Sequence, residues 1–466
     1  MDHARRTLLS ATLGTLAVLV AFTAPLANLN QTAAGLDAGT SGRTWILSSM
    51  SIGLGALLLT AGRVADDFGR RRTFVAGAGV LAVGSVVAAI TPDVLVFVLA
   101  RVLQGVGGAA VISAGLAMLA TAFPGAQERA RATGLWGASV GAGIAVGPIL
   151  STWLGRWHSW RDVYVVLAAA GVGLALTATR CPESRASAGA RLDVPGVLLL
   201  AGGTSAVLAG LTEGREGWTR PLVVLLLAAG VLLLAAFVAV ERRSDHAMID
   251  LALFRRPAFA AVTLAALTTG AGIIALLSFV SGFAGVALGL APTTTAWLML
   301  AWSGPSVVTA VVSRRLPHHW TGRARMGGAL VVIAVGQLML WGVDVGSGPG
   351  RFVPGLLLAG VATGVLNAAL GREGVASVPS AQAGLGSGAN NTARYLGSAI
   401  GVTIVSVVAA PSGAATPAAL VDGWNRAALV TAAVSLVGAL LVLLVGERRA
   451  TAVPAEIRSP QRADAA

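Results

Sequence analysis

The sequence predicts an all-α integral membrane protein of about fourteen transmembrane helices. Three observations carry that prediction. Of 466 residues, 55% are hydrophobic and 11% charged, where a soluble globular chain carries about 25% charged residues, and the mean hydropathy is +0.79. The apolar residues gather in runs of about 20, the length that crosses the hydrocarbon core of a bilayer as a helix. The polar stretches between those runs, together with the run ends, hold all but two of the 33 basic residues.

In chain order the runs fall at 7–28, 45–65, 73–91, 94–121, 133–154, 162–180, 195–212, 221–240, 258–285, 294–312, 327–345, 352–371, 386–409 and 426–446. The first follows Arg5 and Arg6, as the apolar part of a signal peptide would, but it is long enough to span and reads as a helix. An even number of crossings leaves both termini on one side, and arginine decides which. That side takes 24 of the 33 arginines, the other takes seven, and Arg101 and Arg394 fall inside runs. By the positive-inside rule both termini are cytoplasmic. Trp45, Trp153, Trp157, Trp160, Trp218, Trp341 and Trp424 lie near the opposite ends, as an interfacial aromatic belt requires.

Composition excludes several functions. The formal charge of +13 sits in short loops, with no basic face interleaved with aromatics, so nucleic acid is not an expected partner. Cys181 is the only cysteine, which rules out an intrachain disulfide and gives no zinc cluster. Every basic residue is arginine. Without lysine there is no Walker A loop to hold ATP and no Schiff base with pyridoxal phosphate or retinal. No nucleophile–base pair or metal cluster stands out among five histidines and one cysteine, so neither an enzyme nor a cofactor is expected. Uphill work would draw on an ion gradient or another subunit.

The organisation expected is a first six-helix bundle over 1–194, two inserted helices and a linker over 195–257, a second six-helix bundle over 258–446, and a disordered tail over 447–466. A weak repeat supports the two halves. Gly69-Arg70-Arg71-Arg72 before the third run is echoed by Gly322-Arg323-Ala324-Arg325 before the eleventh, and the glycine-rich fifth and thirteenth runs correspond. Repeated halves about a central site are a common transporter plan.

The turn GRVADDFGRRR (62–72) must stay in water while both flanking helices enter lipid. It resembles the loop between helices 2 and 3 of the major facilitator superfamily, G-x-L-A-D-R-x-G-R-R/K. Gly62, Ala65, Asp66, Gly69, Arg70 and Arg71 match, Val64 replaces leucine, and Asp67 stands where a basic residue is usual. The run RVLQGVGGAA (101–110) resembles the superfamily's fourth-helix motif, which implies a coupling role for Arg101 with Gln104. The alternative is a structural arginine held by backbone carbonyls. GIAVGP (143–148), with Gly143, Gly147 and Pro148, resembles the fifth-helix motif that marks antiporters, although Ser151 and Thr152 replace its closing glycines. NNTARYLGSAIG (390–401), ERRSDHAMIDLALFRRPAF (241–259) and SWR (159–161) resemble the fourteen-span drug/proton antiporter branch, with Tyr395 where glutamine is usual.

The same branch commonly carries an aspartate in helix one. Aligned on Asn28, Thr23 takes its place, and no carboxylate falls at mid-membrane; Asp93, Glu213 and Asp344 lie near helix ends. A buried carboxylate would carry protons and pair with cationic drugs. Thr23, Asn28, Asn390, Asn391 and Arg394 are therefore the candidate substrate-cavity residues, with neutral or anionic amphiphiles favoured. The resemblance implies a monomeric, proton-coupled exporter of amphipathic organic compounds such as antibiotics, in a bacterial cytoplasmic (cell) membrane. The alternatives are an importer or facilitator of a small solute and, in another class, a non-transporting membrane sensor or scaffold.

Overall fold

The computed structural model describes residues 3–185, 193–214, 217–243, 251–317, 320–410 and 416–445. The tail expected to be disordered, 447–466, lies outside these residues, as do parts of the linkers at 181–194 and 241–257. Sixteen α-helices and no strands occur among the described residues: α1 (His3–Thr23), α2 (Pro25–Gly35), α3 (Thr40–Phe68), α4 (Arg70–Ile90), α5 (Val94–Ala122), α6 (Ala126–Trp157), α7 (Asp162–Ala178), α8 (Val194–Glu213), α9 (Pro221–Glu241), α10 (Pro257–Thr269), α11 (Ala275–Leu288), α12 (Pro292–Val312), α13 (Gly322–Leu338), α14 (Val353–Ala376), α15 (Ala383–Ala409) and α16 (Pro417–Leu444). Among the described residues twelve helical stretches are long and apolar enough to cross a membrane, with Pro257–Val280 counted as one.

These numbers differ from the fourteen runs of the sequence for local reasons. The first run breaks at Ala24–Pro25, because proline has no N–H to continue the ladder. The ninth is divided by a π turn over Gly270–Ile274 between α10 and α11. Within the eleventh, α13 stops at Leu338, seven residues before the apolar run ends at 345, because the chain turns at Met339–Trp341. α7 covers 17 residues, short of a full span.

Two hydrophobic cores organise the molecule. One joins residues of α1–α7, including Phe74, Phe97, Trp136 and Tyr164, and the other joins residues of α10–α16, including Leu330, Phe352 and Trp424. α8 and α9 stand beside them. In the apolar stretch of α9 only 17% of residues are buried by protein, against 78% in α3, so α9 presents its sides to lipid. α8 packs on α3 and α9, and Leu200 and Phe237 share a small cluster with Leu59, Leu253 and Phe259.

Small residues set the closest helix contacts, as they do where lipid offers no hydrophobic drive to association. A Cβ on Gly62 of α3 would collide with the Gly384 carbonyl of α15, and one on Gly388 with the Leu58 carbonyl. This glycine seam joins the two halves at the arginine-rich end of the bundle.

Candidate functional site

The α3–α4 turn is built around Gly69, whose φ of 119° lies in the region that side chains avoid. The turn places Asp66, 1% exposed, against the start of α15. Its carboxylate accepts the Gly384 and Leu385 backbone N–H groups at 3.0 and 2.9 Å. Those are among the N-terminal donors that a helix cannot satisfy internally, and the helix dipole favours an anion there. Arg70 completes the clasp. Its Nε and Nη2 donate to Asp66 Oδ1 at 3.0 and 2.8 Å, its Nη2 also donates to the Ser380 carbonyl at 3.0 Å, and its Nη1 to Thr121 Oγ1 at 2.6 Å. One buried ion pair thereby ties α3, α4 and α5 to α15 in the other half. Asp67, the departure from the motif, pairs with Arg63 at 2.8 Å on its own helix.

Glu183 was not singled out from the sequence, yet it anchors the same turn. Its carboxylate accepts the Arg71 and Arg72 N–H groups at the start of α4, at 3.0 and 3.3 Å, and pairs with Arg71 Nε at 3.5 Å. The available signal was an acid in CPES (181–184), just after the sixth apolar run.

Arg101 is fully buried. Its Nη1 donates to the Ala21 carbonyl at 2.6 Å and to Gln104 Oε1 at 2.8 Å, and its Nη2 reaches the Phe22 carbonyl at 3.4 Å. Gln104 passes the chain on to Ser85 Oγ at 2.8 Å. The reason lies four residues beyond Ala21. Pro25 cannot donate to the Ala21 carbonyl, so that oxygen is left without its helical partner, and the guanidinium supplies one.

Gly143 and Gly147 of α6 let α1 approach. A Cβ on Gly143 would meet the Leu16 carbonyl at 2.8 Å, and one on Gly147 the Val20 carbonyl at 2.9 Å. Pro148 lies inside α6 beside them. Thr23 belongs to this seam. Its Oγ1 donates to the Leu19 carbonyl at 2.9 Å, with the Gly143 carbonyl at 3.4 Å, so its side chain is turned to α6.

Arg394 of α15 is 6% exposed; its Nη2 donates to Asn391 Oδ1 at 2.6 Å and its Nη1 to Asn367 Oδ1 of α14 at 3.4 Å. Asn390 donates to the Leu370 carbonyl at 3.3 Å. The sequence expectation thus gathers Asn390, Asn391 and Arg394 in one polar seam, to which the structure adds Asn367.

A cavity of about 580 Å³ between the halves lies elsewhere. Phe22, Ser48 and Ser51 line it from the first half, Leu208 and Thr212 from α8, and Phe283, Tyr395, Ser398 and Trp424 from the second. Val286, Ala410 and Leu420, at the ends of α11, α15 and α16 away from the clasp, carry it to the opposite end of the bundle. Thr23, Asn28, Asn390, Asn391 and Arg394 do not line it. Helical geometry explains the near misses. Tyr395 and Ser398 share one face of α15, and Arg394, one position away, turns toward α14. Three acids are buried among the described residues: Asp66, Glu213 and Glu241, each at a helix end. Glu213 accepts Trp45 Nε1 at 2.5 Å and Arg220 Nη1 at 3.2 Å. Among the described residues no cluster of potential metal ligands occurs.

Two helical halves clasped at one end, with a cavity between them reaching the other, define a class of membrane transporter rather than an enzyme. Residues 7–402 match the Major Facilitator Superfamily, and the chain belongs to it. It is 32% identical over 457 residues to a puromycin resistance protein of Streptomyces alboniger, covering 96% of this chain and 90% of that one. It is 30% identical over 374 residues to the multidrug resistance protein Stp of Mycobacterium tuberculosis, covering 80% and 70%. Among solved structures, the proton:xylose symporter XylE shares the fold at a TM-score of 0.68, with 15% identity over 94% of this chain and 95% of that one.

Proposed function

We propose that this chain is a secondary active exporter of amphipathic organic compounds, working by proton-coupled antiport and alternating access. The observation that carries the reading is the pairing of a clasp at the arginine-rich end with a cavity that reaches the other end. A chain held this way presents its cavity to the outside, the release state of an exporter, once the arginine-rich end is assigned to the cytoplasm by the positive-inside rule. Resistance proteins aligned over most of the chain support the direction. On this reading α1–α2 and α10–α11 each make one crossing, for fourteen in all. Residues 1–194 and 258–446 are the rocking halves, and 195–257 supply the inserted pair. Arg101 serves coupling by holding the α1–α2 junction at Pro25, and protons act on an acid near a helix end, since the buried acids described lie there.

The test is drug susceptibility in an efflux-deficient bacterial host. Expression is expected to raise the minimum inhibitory concentration of at least one amphipathic antibiotic fourfold or more, and a protonophore to erase the associated efflux. Increased accumulation of the same compounds would instead point to an importer, and no change in flux across neutral, cationic and anionic compounds to a non-transporting role.

A further inference from the structure

The cavity's walls carry more chemical information than its size. Among the described residues no charged side chain lines it. The two arginines of the membrane interior are both turned away, Arg101 to the α1 carbonyls and Arg394 to Asn367 and Asn391. What faces the space is a set of neutral hydroxyls on aromatic and aliphatic walls. Thr212, Ser278 and Ser406 donate to carbonyls of their own helices. The hydroxyls of Ser48, Ser51, Tyr395 and Ser398 make no hydrogen bond to any described residue. Phe283 stacks on Trp424 at 4.6 Å and 11°, and Phe22 meets Tyr395 edge-on at 5.6 Å, so two aromatic pairs from different helices border the same volume.

We propose that this cavity takes an uncharged, aromatic amphiphile whose polar groups bond the free hydroxyls of Ser48, Ser51, Tyr395 and Ser398. The proposal rests on the transport reading and narrows it. A volume of about 580 Å³ is in the range of small-molecule sites. A hydroxyl donates and accepts, so it satisfies a ketone, phenol or amide without needing a counter-charge. A cation placed there would lose its water and find no carboxylate, and an anion would find no guanidinium; an unpaired buried charge is expensive in either case. Aromatic walls on both sides favour a flat ring system.

The experiment compares Nile red, ethidium and 8-anilinonaphthalene-1-sulfonate, as neutral, cationic and anionic aromatic probes. Binding to the purified full chain in nanodiscs is measured alongside efflux from expressing cells. The expected result is binding and efflux of Nile red, with ethidium and the sulfonate at least tenfold weaker in both. Ser398→Asp or Ser51→Asp, each placing a carboxylate in the wall, should gain ethidium and lose Nile red by tenfold or more. Ser398→Asn, uncharged, should keep the wild-type order. Ethidium or sulfonate bound as tightly as Nile red by the wild type overturns the proposal, even where an Asp variant fails to fold. So does no binding of Nile red, or an unchanged order in a well-folded Asp variant. Nile red binding without efflux leaves the site standing and sinks the exporter reading, whereas efflux of ethidium alone does the reverse.

Discussion

Asp66→Asn is expected to abolish transport while the protein still reaches the membrane in normal amount. The carboxylate takes two backbone N–H groups of α15 and the fork of Arg70 at once, and both partners of that pair are nearly buried, with side chains 4% and 2% exposed. An asparagine keeps a single acceptor oxygen and turns an N–H₂ group toward donors it cannot satisfy. Removing one partner of a buried pair costs roughly 3–5 kcal/mol, chiefly because the other charge is left stranded. That cost falls on the state in which the clasp is made. A loss of about 3 kcal/mol lowers that state's population relative to the alternative by about two powers of ten. Membrane abundance by immunoblot and drug accumulation in the same cells check the two halves of the prediction. Wild-type transport in the variant would reduce the turn to a solvated connection.

The second large effect is expected at Arg101, where a repair is available. Arg101→Gln should reduce transport at least tenfold, because the Ala21 carbonyl, deep in the bundle, loses the donor that replaces Pro25's missing N–H. Pro25→Ala restores an N–H four residues after Ala21 and should make the guanidinium partly dispensable. The pair Pro25→Ala with Arg101→Gln is therefore expected to recover protein stability, read as the melting midpoint in detergent, relative to Arg101→Gln alone. Recovery of stability without uphill efflux would separate the junction at Pro25 from coupling. Strictly additive losses would show that the arginine and the proline do not share a carbonyl.

Much of the fold was legible because membrane helices leave a coarse mark: a run of apolar residues, ended by arginine, glycine or proline. What the runs hide is an interruption within them. The missing N–H at Pro25, the kink at Asn28 (φ −115°, ψ 16°) and the π turn at Gly270–Ile274 leave hydrophobicity unchanged while altering the helix. The clasp was legible in part. Asp66 and Arg70 were readable from the turn, whereas their partners at Gly384 and Leu385 lie more than three hundred residues away and contribute only backbone N–H groups, which no residue type announces. Chemical conspicuousness misled the cavity reading. Thr23, Asn390, Asn391 and Arg394 are the polar residues that stand out in apolar runs, and the structure uses Thr23, Asn390 and Arg394 to join helices, with Asn391 bracing Arg394 on its own helix. The cavity is lined by serines and aromatics that look ordinary in sequence, apart from Tyr395, which stood out as a departure from the branch's pattern.

The central claim is that the Asp66 clasp and the cavity's opening at the other end belong to one state. Cys181 is the only cysteine and is buried, so a Cys181→Ser background carrying Ser398→Cys offers a single reporter in the cavity wall. A membrane-impermeant maleimide added outside intact cells should label that cysteine readily. Asp66→Asn in the same chain should cut the labelling at least tenfold while labelling from inverted vesicles rises. Equal labelling with and without Asp66, or access only from the cytoplasmic side, would contradict the account.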